Sequence, residues 1–290
     1  MVLPQLREPV PNAARQVLEV HAFGLTDIGC VRESNEDQFL VAELAKTMRI
    51  SHTSLPDPKV QFGNEHAHLF LVADGMGGHN AGECASAMAV TAIQQFTLNT
   101  LKWFFHPGGD DAQRVLTQFQ KALREAEARI FEESAERPEL TGMGTTVTMA
   151  YHLDSQLCIV HAGDSRAYTF EEGELRQVTH DHTVAAELVR RGELKPEEVA
   201  RTRFRHLITN VVGGNEALHF VEAHALQLQA GDRLLLCSDG LTEMLTNDAI
   251  AATLRDELDP EAGCRKLVTQ AKDAGGRDNI TVVIARFDAA

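Results

Sequence analysis

Two apolar runs that end in the same turn decide the fold, His68-Leu-Phe-Leu-Val-Ala-Asp-Gly75 and Arg233-Leu-Leu-Leu-Cys-Ser-Asp-Gly240. Short runs rich in Leu and Val and closed by Asp-Gly are typical of buried β-strands. Aspartates stand beside two further runs of this kind, Asp164 after residues 158–161 and Asp278 before residues 280–284. The chain therefore places an acidic residue at the end of one strand after another.

Further strands are predicted from their Val, Ile, Thr and aromatic content at residues 19–25, 37–42, 145–153, 166–170 and 218–226. Helical spacing of apolar residues predicts helices at 81–103, 112–135, 247–255 and 260–274. A polar, helical insertion is predicted between 183 and 215. Because the helices come in clusters and not one per strand, the pattern favours an α+β fold with mostly antiparallel strands.

Composition excludes several classes of protein. Of 290 residues, 43% are apolar and only 9 are proline, which excludes a disordered or fibrous chain. With 27 Lys and Arg against 42 Asp and Glu, the net charge of −15 makes nucleic acid an unfavourable partner. Five scattered cysteines without a CxxC pair predict a reducing, cytoplasmic setting without disulfides. The start is not that of a signal peptide, and no apolar run reaches the roughly 18 residues of a membrane span.

The aspartates at strand ends, Asp74, Asp164, Asp239 and Asp278, are the candidates for chemistry. Taken one at a time, an Asp-Gly pair is most often only a turn. Carboxylates that converge on one spot repel each other unless a cation lies between them, and oxygen ligands suit Mg²⁺ or Mn²⁺. A phosphate-binding loop at Gly75-Met-Gly-Gly78 is a weaker interpretation, because no lysine follows the glycines.

Six segments in order carry more information than any one of them. They are Arg32-Glu-Ser-Asn-Glu-Asp37, Asp74-Gly-Met-Gly-Gly-His79, Gly142-Met-Gly-Thr-Thr146, Gly163-Asp-Ser-Arg166, Ser238-Asp-Gly240 and Arg277-Asp-Asn279. This series resembles the metal-dependent serine/threonine protein phosphatases of type 2C, in their bacterial form. The resemblance implies a single phosphatase domain over residues 1–290, with the motifs between about 23 and 287. It also implies a central antiparallel β-sandwich flanked by helices on both faces, a four-layer αββα fold, with a flap insertion at about 180–216.

The resemblance also implies a metal centre of two Mn²⁺ or Mg²⁺ ions with a weaker third. Asp74 would bridge two ions, and the carbonyl of Gly75 would bind one of them. Asp239 and Asp278 would hold the other ion. Asp164 would hold the third ion together with Asp239.

Three residues that precede Asp74 in the chain are expected to act on the substrate or on water. Arg32 would clamp the substrate phosphate, while Glu36 and Asp37 would orient metal-bound waters. The eukaryotic members carry a histidine directly after the Asp-Gly, where this chain has Met76. The general acid is therefore either His79 or a water on the third metal ion.

The implied reaction is hydrolysis of phosphoserine and phosphothreonine in proteins by a water that bridges two metal ions. The expected partners are phosphorylated proteins, targets of a cognate serine/threonine kinase, and the chain is expected to be monomeric. Two alternatives stay open at this point. One is a non-catalytic regulatory module with the phosphatase fold, and the other is a hydrolase of small phosphoesters.

Overall fold

The computed structural model describes residues 17–45, 66–77, 81–104 and 111–290. Its strands are β1 (Leu18–Asp27), β2 (Asp37–Ala45), β3 (His66–Met76), β4 (Gly144–Thr145), β5 (Val147–Leu153), β6 (Gln156–Ala162), β7 (Arg166–Glu171), β8 (Glu174–Gln177), β9 (Val212–Gly213), β10 (Glu222–Gln227), β11 (Arg233–Cys237) and β12 (Ile280–Ala289). Its helices are α1 (Ala81–Phe104), α2 (Asp111–Glu136), α3 (Val184–Arg190), α4 (Asp239–Thr242), α5 (Asn247–Asp256) and α6 (Pro260–Asp273).

The strands form two antiparallel sheets. The first has the order β1-β12-β11-β7-β8, and the second has the order β10-β6-β5-β3-β4-β9 with β2 also paired to β3. Each described strand pair is antiparallel. The predicted α+β class with antiparallel strands is confirmed.

The alternation of side chains along β11 shows how the layers are built. Leu234 and Leu236 point between the two sheets, where they pack with Phe70 of β3. Leu235 and Cys237 point the other way, onto the apolar faces of α5 and α6. Such a two-residue period is what a strand buried on both faces requires.

The second sheet is covered in the same way by α1 and α2, whose apolar residues pack on its outer face. The layers are therefore helices, sheet, sheet and helices, which confirms the predicted αββα sandwich. No helix within the described ranges has the length and the hydropathy that crossing a bilayer needs.

The outer helices begin where their sequences specify a cap. The Asp259 side chain accepts a hydrogen bond from the amide of Ala262, and Pro260 occupies the first turn of α6. The Thr246 side chain caps α5 through the amide of Ala249. Each cap satisfies an amide that the helix itself leaves unpaired.

One predicted strand is partly wrong, because residues 218–221 precede β10 instead of belonging to it. The side chain of Asn210 bonds the backbone there, accepting from the amide of His219 and donating to the carbonyl of Phe220, at 3.0 Å each. Those backbone groups are therefore not available to a strand ladder. The predicted insertion holds α3, a 3₁₀ turn (Pro196–Arg201) and the short strand β9, so it is only partly helical.

Candidate active site

The register of the first sheet brings three of the predicted ligands to one end. Cys237, the last residue of β11, pairs with Arg166 at the start of β7 and with Val282 near the start of β12. Residues just before β7 and β12 and just after β11 must therefore emerge together. Those positions hold Asp164, Asp239 and Asp278.

The second sheet contributes a pair of carboxylates to the same place. Asp37, the first residue of β2, lies directly opposite Asp74 of β3. Burial, and then the negative charges of Asp37, Asp239, Asp164 and Asp278, raise the pKa of Asp74 well above its usual range. Five carboxylates from two sheets thus share one electrostatic centre.

The backbone of Asp74 is fixed by two adjacent threonines, of which Thr145 donates its hydroxyl to the Asp74 carbonyl at 2.9 Å. The amide of Asp74 donates to Oγ1 of Thr146 at 3.0 Å, and the amide of Thr146 donates to the carbonyl of Asp74 at 2.8 Å. These bonds hold the end of β3 against the start of β5. The motif Gly142–Thr146 therefore serves to position Asp74.

Asp37 joins the two sheets beneath this centre. Its Oδ2 accepts hydrogen bonds from the hydroxyls of Ser238 and Thr281, each at 2.7 Å. Its Oδ1 is buried without a hydrogen-bond partner. Burial raises the pKa of Asp37 to about 6 despite these two bonds. Asp37 is thus held rigidly with one oxygen left to interact with a cation or with water.

Asp164, which precedes β7 of the first sheet, resembles Asp37 in its burial and its raised pKa. The side chain is buried and its Oδ1 has no hydrogen-bond partner. Burial, and next the charge of Asp181, raise the pKa of Asp164 to about 7. Burial, followed by Asp164 and Asp278, also raises the pKa of Asp239 well above its usual range. Buried oxygens without donors, on carboxylates that repel one another, fit a site for hard divalent cations.

Arg32 lies at the rim, in the loop between β1 and β2. Its Nη2 is 2.6 Å from Oδ2 of Asp278, while about half of its side chain (53%) stays exposed. The hydrogen bond to Asp278 raises the pKa of Arg32, and Glu36 and Asp74 add to this effect. The guanidinium therefore faces the carboxylate centre and remains accessible from solvent.

Glu36 and Gly75 are held against each other and against the start of α1. The carbonyl of Glu36 accepts from the amide of Gly75 at 3.2 Å and from the hydroxyl of Ser86 at 2.7 Å. A Cβ on Gly75 would overlap the carbonyl oxygen of Gly82, so only glycine fits this approach. Burial raises the pKa of Glu36 above its usual range, against the opposing effect of Arg32.

Two residues that sequence reasoning missed also belong to this centre. Glu243 follows Asp239 by one helical turn, and its Oε1 lies 2.6 Å from Nδ1 of His206. Ligand atoms of His206, Asp239 and Glu243 lie within 4.8 Å of one another. The four-residue spacing from Asp239 to Glu243 would have indicated a shared face, had a helix been predicted there.

Asn279 organises the loop that carries Arg32. Its Nδ2 donates to the carbonyls of Ile28 at 3.0 Å and Ser34 at 2.9 Å, and its Oδ1 accepts from the amide of Glu36 at 2.8 Å. The quoted motif Arg277-Asp-Asn279 contained this residue, but nothing in the motif indicated its role. His79, the predicted alternative general acid, lies outside the described residues.

An open groove of about 850 Å³ adjoins the centre along α4. It passes Thr242 and Glu243 and runs between α5 and the insertion. Four arginines line it: Arg166, Arg190, Arg205 and Arg277. A groove of this size is larger than a single phosphate group requires.

A buried carboxylate cluster suited to divalent cations, at the edge of an antiparallel αββα sandwich and beside an accessible guanidinium, is the arrangement expected of a metal-dependent hydrolase of phosphate esters. Comparison with known families narrows this class. The sequence profile described as Protein phosphatase 2C matches residues 57–270. The chain belongs to the protein phosphatase 2C family, which confirms the family predicted from the six motifs.

The relatives agree in name and in extent. The serine/threonine phosphatase Stp of Listeria monocytogenes is 32% identical over 269 residues, which cover 93% of this chain and 96% of that protein. The serine/threonine protein phosphatase PstP of Mycobacterium tuberculosis is 34% identical over 94% of this chain, which spans 46% of PstP. A crystal structure of the PstP catalytic domain with two manganese ions has a TM-score of 0.74 at 32% identity, covering 94% of this chain and 100% of that one.

Proposed function

We propose that the chain is a single catalytic domain that hydrolyses phosphoserine and phosphothreonine in proteins with the help of divalent Mn²⁺ or Mg²⁺. The observation that carries the proposal is the burial of Asp74 among four other carboxylates. The names of the relatives and the two manganese ions of the PstP structure support it. The predicted enzyme class, a serine/threonine protein phosphatase, is confirmed by these matches.

Asp74, the carbonyl of Gly75, Asp239 and Asp278 would hold two ions, and Asp164 with Asp239 would hold a third. When bound, the ions supply a nucleophilic water near neutral pH and offset charge on the phosphoryl oxygens. Asp37 and Glu36 would orient water.

Arg32 would bind the phosphate through its planar guanidinium, which suits bidentate contact with two phosphoryl oxygens. In the present structure that guanidinium is paired with Asp278. Because binding of a cation by Asp278 would compete with this pair, Arg32 would then be free to turn to the substrate. Arg32 would thus offset the negative charge of the carboxylate centre when metal is absent and bind the substrate phosphate when metal is present.

The groove favours a protein substrate over a small phosphoester. Its lining carries four arginines against two acidic residues, Asp181 and Glu243, and Arg166 is already paired with Asp181. The remaining surplus of positive charge, in a chain of net charge −15, favours a phosphorylated peptide. A cognate serine/threonine kinase, a signalling role, a cytoplasmic location and a monomeric state are part of the same proposal. The intact carboxylate centre argues against a non-catalytic regulatory module.

The first test compares substrates with and without metal. We expect turnover of a phosphothreonine peptide to require added Mn²⁺ or Mg²⁺ and to stop with a chelator. We also expect kcat/KM for the peptide to exceed that for a small alkyl phosphate. Full activity after complete removal of metal, checked by elemental analysis, would refute the metal-dependent reaction. Preference for the small ester would instead favour a small-molecule hydrolase.

Replacement of Arg32 tests its role in binding. Since the guanidinium would contact phosphate oxygens that are already charged in the ground state, Arg32→Ala should raise KM by a larger factor than it lowers kcat. Steady-state kinetics on the peptide measure both constants, and Arg114→Ala, an exposed arginine of α2, is the matched control. An unchanged KM would remove Arg32 from the substrate site.

Replacement of Asp164 tests whether this residue holds a third metal ion or is only a structural turn residue. Asp164→Ala should lower turnover by at least about tenfold, or roughly 1.4 kcal/mol of transition-state stabilisation, without lowering the melting temperature. The loss should be larger for phosphothreonine than for a nitrophenyl ester, whose leaving group needs no protonation. Unchanged turnover with a lowered melting temperature would make Asp164 a structural turn residue.

A further inference from the structure

A second group of potential metal ligands surrounds Glu222, the first residue of β10. Nδ1 of His180 lies 2.8 Å and Nε2 of His224 lies 2.6 Å from Oε1 of Glu222. Nε2 of His182 lies 3.1 Å from the other oxygen, Oε2. We call Glu222, His180, His182 and His224 the Glu222 cluster. None of its members belongs to the carboxylate centre described above.

Hydrogen bonds assign different roles to these histidines. The buried His182 accepts, at Nδ1, from the amide of Gly163 at 3.1 Å. A second donor, the side-chain amide of Asn210, lies 3.0 Å from the same nitrogen. The proton of His182 is therefore on Nε2, which donates to Oε2 of Glu222. His182 is a positioning residue that fixes Oε2, while Oε1 accepts from the amide of His180 at 3.2 Å and faces the side chains of His180 and His224.

The nearby His161 is also committed to hydrogen bonds. Its Nε2 lies 3.1 Å from the carbonyl of His180, and its Nδ1 lies 2.9 Å from the hydroxyl of Thr148. Its ring packs against that of His182, with the centroids 4.7 Å apart. His161 therefore supports the cluster from the protein interior and does not have a nitrogen free to bind an ion.

His180 and His224 differ from these two because their side chains are more exposed. The His180 side chain is 55% exposed and that of His224 is 19% exposed. Glu222 and His224 are two residues apart on β10, at the edge of the second sheet, so they share one face of the strand. Two imidazoles and one carboxylate oxygen thus converge at a partly buried place that is open to solvent on the side of His180.

We propose that His180 Nδ1, His224 Nε2 and Glu222 Oε1 form a second metal site, for a borderline divalent cation such as Zn²⁺. These atoms lie within 4.8 Å of one another. Zinc bonds of about 2.0–2.2 Å to nitrogen and oxygen would be reached by small movements of the two rings. Three protein ligands with water in the fourth position is a common zinc arrangement.

The donor set separates this site from the carboxylate centre. Imidazole nitrogens suit Zn²⁺, Co²⁺ and Ni²⁺, whereas oxygen ligands suit Mg²⁺ and Mn²⁺. The hydrogen bond from His182 to Oε2 is the supporting contact that a ligating carboxylate needs. Mg²⁺ can therefore fill the carboxylate centre while the Glu222 cluster stays available to a borderline metal.

An ion bound at the Glu222 cluster would also restrain the neighbouring backbone. His180 precedes the insertion at 183–215 and Glu222 follows it. A bound ion would therefore hold the two ends of this insertion together. His182 also connects the cluster to the loop of Asp164, because its amide donates to the carbonyl of Gly163 at 2.7 Å. Metal binding at Glu222 should therefore restrain the insertion that borders the groove.

Cobalt provides a direct test with the whole chain saturated with Mg²⁺. We expect Co²⁺ to produce the intense visible absorption of a four-coordinate nitrogen-ligated ion, and Zn²⁺ to remove it by displacement. His180→Ala and His224→Ala should each weaken Co²⁺ affinity by at least about tenfold. The matched control is His219→Ala, an exposed histidine that pairs with Glu216 and is outside the cluster.

Two further measurements determine whether the variants are folded and whether zinc restrains the insertion. Melting temperatures without Co²⁺ or Zn²⁺ show whether each variant is folded, and Zn²⁺ should raise that of the wild type but not that of His180→Ala. Zn²⁺ should also slow amide exchange between residues 184 and 210. Absorption that is absent, or that survives both histidine replacements, would make the cluster a metal-free hydrogen-bond network. Unchanged exchange with bound zinc would refute the fastening of the insertion. None of these readouts depends on phosphatase turnover.

Discussion

Asp239→Asn is expected to lower kcat on a phosphothreonine peptide by at least about three orders of magnitude, or roughly 4 kcal/mol. Asp239 is proposed to bind two of the three ions, so an amide in its place removes charge from both sites. Its position at the start of α4 is fixed by backbone bonds to Glu243 and by the close approach of Gly240 to Asn279. The substitution therefore changes charge while the local backbone stays in place.

The same variant should be more stable than the wild type when metal is absent. The raised pKa of Asp239 shows that its charge is unfavourable among its neighbours, so Asn relieves repulsion. Unfolding by urea in the presence of chelator measures this gain. The matched control is Asp273→Asn at the exposed end of α6, which should change neither kcat nor stability appreciably. Asp239→Asn with near-wild-type turnover would refute the proposed metal centre.

Much of this centre could be predicted because its residues follow strands. Asp164, Asp239 and Asp278 stand within two residues of the ends of β6, β7, β11 or β12, and an antiparallel register brings such ends together. Asp37 and Asp74 are likewise opposite one another in β2 and β3. A strand period and a terminal aspartate are local features, so the sequence displays them directly.

The contacts that hold the centre could not be predicted, since they join residues far apart in the chain. Ser238 and Thr281 bond Asp37, and the side chain of Asn279 bonds the loop of Arg32. Serine, threonine and asparagine in such positions look like ordinary turn residues until the tertiary structure supplies their partners. The pairing of His206 with Glu243 is hidden for the same reason, because the two lie on different elements.

The stability of the metal-free protein should depend on pH through its buried carboxylates. Burial raises the pKa of Asp37 to about 6 and that of Asp164 to about 7, from an ordinary value of 3.8. The folded state therefore binds more protons than the unfolded state between about pH 4 and pH 7. This contribution to stability is fully present below the unfolded pKa and is lost as pH rises through the folded values.

Two buried histidines act in the opposite direction. Burial lowers the pKa of His152 to about 3 and that of His161 to about 4, so their contribution is present above pH 6.5 and is lost as pH falls. Comparison with Asp239→Asn isolates the contribution of Asp239, whose pKa is also raised by burial, because the variant keeps both histidines as well as Asp37 and Asp164. In chelator, the free energy of unfolding of the wild type should fall relative to that of the variant as pH rises from 5 to 8.

Saturating Mn²⁺ should reverse this trend. The ion competes with protons for the same carboxylate oxygens, so it binds more strongly, and stabilises the folded state more, as pH rises. The measurement is the free energy of unfolding in urea at several pH values, with chelator and with Mn²⁺, for the wild type and Asp239→Asn. A wild-type profile parallel to that of the variant under both conditions would show that these aspartates do not share a repulsive, cation-binding centre.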